Sequence, residues 1–214
     1  MRNYKRCSLM ILLLALAGLS SRAQAADLAV GAKVGTLGLG LEATVNLVPM
    51  VANIRLQGNL FNYNTTITET NVTYDGQLKL GSVGLLADIY PFASKFRITG
   101  GLYYNGNKLE LNSQQAGVVV VGGNAYLNPN IRTTIDFNQV APYIGIGWGD
   151  AISSGSPFGF SFELGALYQG TPNSTVIAPG IAPADIAAEK RKLDDSLSRF
   201  TWYPVVAVGV NWRF

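Results

Sequence analysis

From residue 26 onward, apolar and polar positions alternate with a period of two in one segment after another. That period belongs to strands whose two faces meet unlike surroundings. Eight such segments can be read. The first, about 28–35, puts Val30, Ala32 and Val34 on one face. The second, about 38–47, sets Leu39, Leu41, Ala43, Val45 and Leu47 against Glu42, Thr44 and Asn46. The third, 51–64, alternates Ala52, Ile54, Leu56 and Leu60 with Asn53, Arg55, Gln57 and Asn59. The fourth, about 72–90, changes phase near Gly81-Ser82, from Leu78 and Leu80 to Val83, Leu85, Ala87 and Ile89, which predicts a β-bulge there. The fifth, 96–111, turns Phe96, Ile98, Leu102 and Tyr104 away from Arg97, Thr99, Tyr103 and Asn105. The sixth, about 135–148, opposes Ile144, Ile146 and Trp148 to glycines. The seventh, 158–170, opposes Phe158, Phe160, Phe162, Leu164, Ala166 and Tyr168 to Gly159, Ser161, Glu163, Gly165 and Gln169. The eighth runs from about 199 to Phe214.

Most of these segments reach the roughly 9–11 residues a tilted strand needs to cross a bilayer core. A single strand over 28–47 would make seven and put the chain ends on opposite sides. A tight hairpin at "GTLG", residues 35–38, makes eight, in keeping with the even strand numbers of single-chain bacterial barrels. After that hairpin the connections alternate between short ones (48–50, 91–94, 149–156) and longer ones (about 65–71, 112–134 and 171–198). Membrane barrels sort their loops by end in this way. Within the last long loop, Pro183 can open a helix, Asp185 suits its first turn, and Ile186, Leu193 and Leu197 fall near one face.

Composition narrows the setting. The chain is 48% hydrophobic and 14% charged, with 24 glycines, against about 25% charge in an average soluble domain. No apolar run after the N-terminus is long enough for a spanning helix. The start of the chain is different: Arg2, Lys5 and Arg6 precede the apolar run "LMILLLALAGL", and "AQA" at 23–25 supplies small residues for cleavage. Residues 1–25 are therefore expected to be a cleaved secretory signal peptide, leaving 26–214 as one barrel domain. The formal charge of +3 reflects this leader. Without Arg2, Lys5, Arg6 and Arg22, 12 basic residues face 13 acidic ones. That balance suggests no nucleic-acid partner. The single cysteine, Cys7, precedes the apolar run, so the mature chain is expected to hold no disulfide and no cysteine-bound metal.

The leader, the eight amphipathic strands, the sorted loops and the final "VNWRF" together resemble small Gram-negative outer-membrane β-barrels of the OmpA/OmpX/OmpW-like class. The resemblance covers the whole mature chain. It implies an all-β fold, a closed antiparallel up-and-down transmembrane barrel of eight strands with a short helix in the last long loop, set in the bacterial outer membrane. Outer-membrane lipid and lipopolysaccharide are the implied partners. Phe214, with Trp212, Val210 and Val208 at alternate positions, is similar to the C-terminal signal read by the barrel-assembly machinery. A monomer without cofactors is expected.

In such a barrel the apolar faces meet lipid and the polar faces line the lumen. Trp148, Tyr168, Trp202 and Trp212 then sit near strand ends, where aromatic girdles lie. The inward faces carry Lys33, Glu42, Arg55, Asp88, Arg97 and Glu163, with Lys79 a further candidate. These charges suit a proton path, an ion filter or a catalytic carboxylate (Glu42 and Glu163 being the possible acid and base), or else a packed network of ion pairs, and an eight-stranded interior is just wide enough for side chains to fill. No histidine occurs anywhere, which counts against a His-dependent lipid-modifying enzyme. "EKRK" at 189–192 suits contact with lipopolysaccharide phosphates or a solvated helix face. The expected function is that of a non-catalytic envelope protein, structural or acting through its outer loops. The alternative is a narrow conduit for small or hydrophobic solutes.

Overall fold

The structure, a computed structural model, describes residues 28–69, 72–92, 94–115, 117–127, 129–149 and 156–214. The expected signal segment lies outside the described residues. Among the described residues, thirteen strands and one helix follow in order: β1 (Leu28–Gly35), β2 (Gly38–Val48), β3 (Ala52–Glu69), β4 (Val72–Ile89), β5 (Phe96–Asn105), β6 (Lys108–Gln115), β7 (Val118–Val121), β8 (Asn124–Leu127), β9 (Asn130–Asp136), β10 (Val140–Trp148), β11 (Phe158–Tyr168), β12 (Asn173–Ile177), α1 (Pro183–Leu197) and β13 (Trp202–Arg213).

Eight of these strands close a barrel, in the order β1, β2, β3, β4, β5, β10, β11, β13 and back to β1, every pair antiparallel. Closure is made by β1 against β13, with Val30 opposite Trp212 and Val34 opposite Val208. The eight-stranded reading thus holds, and the hairpin turns at Thr36 and Leu37. Outward-facing side chains are apolar and exposed all round: Leu39, Leu41, Leu56, Leu60, Val83, Leu85, Leu102, Ile144, Phe160 and Val208 among them. A water-soluble sheet would bury such a face. In lipid it is the solvated one, and closure leaves the barrel wall without an open edge.

On the end away from the short turns, half of the wall continues beyond the barrel. β3 and β4 stay paired up to Glu69 and Val72. β6 follows the register of β5 along β4, interrupted only at Gly106-Asn107, where the Gly106 N–H donates to Gly81 O (2.8 Å) and the Gly81 N–H to Asn107 Oδ1 (3.1 Å). β9 and β12 complete a five-stranded flap of order β3, β4, β6, β9, β12. Much of the expected long loops at 65–71, 112–134 and 171–198 is therefore sheet or helix.

The flap corrects two expectations. The β3–β4 register runs unbroken past Gly81-Ser82, so no bulge lies there. The apolar phase changes because the surroundings change. Within the barrel, even-numbered β4 residues Ser82, Leu86 and Asp88 face the lumen and odd-numbered Val83 and Leu85 face lipid. Above the rim the same two faces exchange character. Even-numbered Leu78 and Leu80 join Leu109, Leu111 and Ile135 on the inner face, while Lys79 and Gln77 look out to water with Glu110 and Asp136. Lys79 is accordingly no lumen residue: it pairs with Glu110 at 3.0 Å on the half-exposed outer face of the flap.

The hairpin β7–β8 and α1 roof the flap. Val121, Ala178 and Ile181 form a small core with Val119, Tyr126, Ile131 and Ile186. Pro183 opens α1, as the sequence predicts, and Asp185 in the first turn is buried. Its carboxylate accepts hydrogen bonds from Asn124 Nδ2 (2.8 Å) and the Tyr126 hydroxyl, both on β8. At the other end of the helix Asp194 accepts from Ser174 on β12 and pairs with Lys190.

Candidate functional site: a filled lumen

The lumen is built from alternate residues of all eight barrel strands. Lys33 comes from β1, Glu42 from β2, Arg55 from β3, Asp88 from β4, Arg97 from β5 and Glu163 from β11. All six are buried, and they form one network. Glu163 Oε2 takes Arg55 Nη1 at 2.6 Å, Lys33 Nζ at 3.2 Å and Arg97 Nη2 at 3.2 Å. Glu42 Oε2 takes Lys33 Nζ at 3.0 Å and Arg55 Nη1 at 3.1 Å. Asp88 Oδ1 takes Arg55 Nη2 at 3.1 Å, lies 3.7 Å from Arg97 Nε, and accepts from the Thr99 hydroxyl at 2.6 Å. Arg55 thus touches all three carboxylates, and three cations balance three anions. Such compensation is what permits charge in a desolvated interior.

The network extends through neutral groups. Lys33 Nζ donates to Gln57 Oε1 (2.9 Å), Gln57 Nε2 to Asn59 Oδ1 (2.8 Å), and Asn59 Nδ2 to Ser82 Oγ (3.0 Å). Arg97 Nη1 donates to Gly149 O at 2.8 Å, near the short-turn end.

Above the ion network an apolar cluster shares the filling with the polar Asn59, Ser82 and Asn105, which lie nearer the rim on β3, β4 and β5. Leu37, Leu86, Tyr103, Ala141, Tyr143, Leu167 and Val205 form one buried cluster, with Tyr203 against it. Tyr103 and Tyr143 meet edge to face, ring centroids 5.6 Å apart, and the Tyr143 hydroxyl donates to Glu163 Oε1 at 2.6 Å. Glycines make room for both rings. A Cβ on Gly84 would stand 2.5 Å from the Tyr103 ring, and one on Gly165 would stand 2.3 Å from the Tyr143 hydroxyl. Tyr143 is the member that strand alternation does not single out. Its signal lies in "YIGIGWG", an inward aromatic followed by inward glycines at 145 and 147.

Aromatic pairs stand at both ends of the barrel strands. Near the outer rim, Tyr168 lies opposite Trp202, centroids 5.0 Å apart. Near the short turns, Phe158 meets Trp212 at 4.3 Å, and Trp148 pairs with Phe96. Phe214 is exposed, and its N–H donates to Leu28 O at 3.1 Å.

A closed eight-stranded barrel, an apolar outer belt and a polar lumen define an integral β-barrel of the bacterial outer membrane. Solved structures of the same fold exist: CarO2 and CarO of Acinetobacter baumannii are each 22% identical to the chain, with a TM-score of 0.62, over 90% of this chain and 100% of theirs. A major outer membrane protein from Thermus thermophilus aligns over 89% of the chain and 100% of its own at 14% identity, with a TM-score of 0.49. No family model and no curated protein matches the chain.

Proposed function

We propose that this protein is a non-conducting, non-catalytic barrel that anchors a working surface, the flap and its roof, outside the outer membrane. The observation that carries the reading is the filling of the lumen. A neutral network centred on Arg55 occupies the lower part, and the Tyr103–Tyr143 collar with the buried Asn59, Ser82 and Asn105 the upper part. Each network carboxylate is held by cations, so a permeating ion would have to displace pairs whose rupture costs about 3–5 kcal/mol in a buried setting. The same filling counts against a solute conduit, and the absent histidine counts against His-dependent lipid chemistry. The lipid belt and its girdles serve to hold the barrel among outer-membrane lipid and lipopolysaccharide, and Phe214 serves as the assembly signal. Reconstitution in planar bilayers tests the central claim. Purified protein should give no stable conductance, while replacement of Arg55 and Tyr143 together by Ala should open small, noisy events. A large stable conductance of the unaltered chain would overturn the reading.

A further inference from the structure

The two edges of the flap are unlike. β12 is five residues long, and α1 is bonded to it through Ser174 and Asp194. A short strand backed by a helix is a guarded edge. The other edge is β3 above Leu60, where pairing with β2 begins at Leu39. Residues 61–69 pair with β4 on one side only. They read "FNYNTTITE", without Pro, Lys or Arg, and the β3–β4 register passes through them without a bulge. The devices by which exposed strands ordinarily refuse a neighbour, namely proline, lysine, bulges and a covering element, are missing among the described residues. Phe61, Tyr63, Ile67 and the three threonines favour an extended strand, Asn62 and Asn64 can ladder against identical residues of a second strand, and the only charge, Glu69, lies at the far end.

We propose that this edge is an interface for the same edge of a second copy, paired antiparallel about a two-fold axis at Asn64. The pairing sets Asn62 against Thr66, Tyr63 against Thr65, and Asn64 against its own copy. Residues 61–68 carry no charge. Nothing in the edge therefore repels an identical strand, and nothing in it selects a partner of opposite charge. The membrane sets the geometry. Strands in such barrels tilt by about 35–45°, so two copies in one membrane would cross their β3 edges rather than align them. Antiparallel alignment requires flaps that face each other from two membranes, which makes the contact one between neighbouring cells or vesicles. This departs from the monomer expected from sequence. It rests on the reading of the flap as the working surface, and conductance tests the lumen alone, so the two proposals can fail separately.

Cysteine trapping in detergent micelles, where flaps approach freely, provides the test. Residues directly opposite in an antiparallel pair have Cα atoms about 4.5–5.5 Å apart, within disulfide reach. In a Cys7→Ser chain, Asn64→Cys should form at least ten-fold more disulfide dimer under mild oxidation than Thr175→Cys on the guarded edge. Asn64→Lys and Asn64→Glu should each be monomeric by native mass spectrometry, and their mixture dimeric. Heat-modifiable gel mobility shows that every variant keeps its barrel. Equal trapping at positions 64 and 175, or association of Asn64→Lys alone at the level of the unaltered chain, would overturn the proposal.

Discussion

The barrel and the flap are made from the same strands, yet their faces have opposite meaning. On β4, Leu85 and Gln77 point to the same side of the sheet. Leu85 is 59% exposed and meets lipid, whereas Gln77 donates to Asn64 Oδ1 on a face turned to water. On the other side Asp88 sits in the ion network while Leu80 is buried in the flap. Nothing in the backbone marks the crossing, because the register continues. Alternation tells only that two faces differ. Which face is apolar depends on whether the strand stands in lipid around a polar lumen or in water beneath an apolar roof.

The largest effect should come from the barrel interior. Arg55→Ala leaves Glu42, Asp88 and Glu163 facing only Lys33 and Arg97. Loss of one partner from a buried ion network should cost about 3–5 kcal/mol, measured by urea unfolding in detergent micelles. The comparison itself is tested by two substitutions on one face of one strand. Leu85→Lys should cost about 2–4 kcal/mol, as expected of a lysine near the bilayer midplane. Gln77→Lys, higher on the same face, should stay within about 0.5 kcal/mol. Equal costs at the two positions would place both in one environment and break the contrast.

How much of this is legible in the sequence follows from the same physics. The eight barrel strands, their lipid faces and the closing pair of β1 with β13 are readable, because lipid imposes apolar side chains on a strict period of two. The six lumen charges are readable too, since each interrupts an otherwise small or neutral inward face. Their mutual contacts are not, because Lys33 and Glu163 are 130 residues apart and only barrel closure joins them. The flap misleads for a definite reason. At Leu78 and Leu80 the period continues while the environment reverses, and a reversal of environment looks like a slip of register when the chain is read by itself. The roof is half legible. Pro183 and Asp185 mark the start of α1, but Asn124 and Tyr126, which hold Asp185, lie in a stretch that carries no periodic signal long enough to read.

A smaller effect is expected at the seam of the barrel. Deleting Phe214 removes the hydrogen bond of its N–H to Leu28 O and a side chain that is 74% exposed. Equilibrium stability should fall by only about 1 kcal/mol, the net worth of one hydrogen bond. If Phe214 is the assembly signal, insertion into membranes with the assembly machinery should slow several-fold. Equal insertion rates for the two forms would remove that role and leave the residue as an ordinary strand end.

The smallest effect belongs to the roof and depends on pH. The hydrogen bonds from Tyr126 and Asn124 hold the Asp185 carboxyl below its ordinary range, because they stabilise the charged form. A carboxylate whose folded pKa is depressed contributes stability that is present above its unfolded value, about 3.9, and is lost as pH falls through the folded value. Asp194, lowered by Lys190 and then by Ser174, acts in the same direction at the far end of α1. Between neutrality and about pH 4 the hairpin should therefore stay latched to the helix. Below that, amides of β7, β8 and the first turn of α1 should exchange faster relative to those of the flap strands β4 and β6, once the intrinsic pH dependence is removed. Asp185→Asn should show the faster exchange already at neutral pH, with the acid response at β7 and β8 reduced. A hairpin that loosens together with β4 and β6 would mean that flap and roof open as one unit, and that the latch does not set their relative stability.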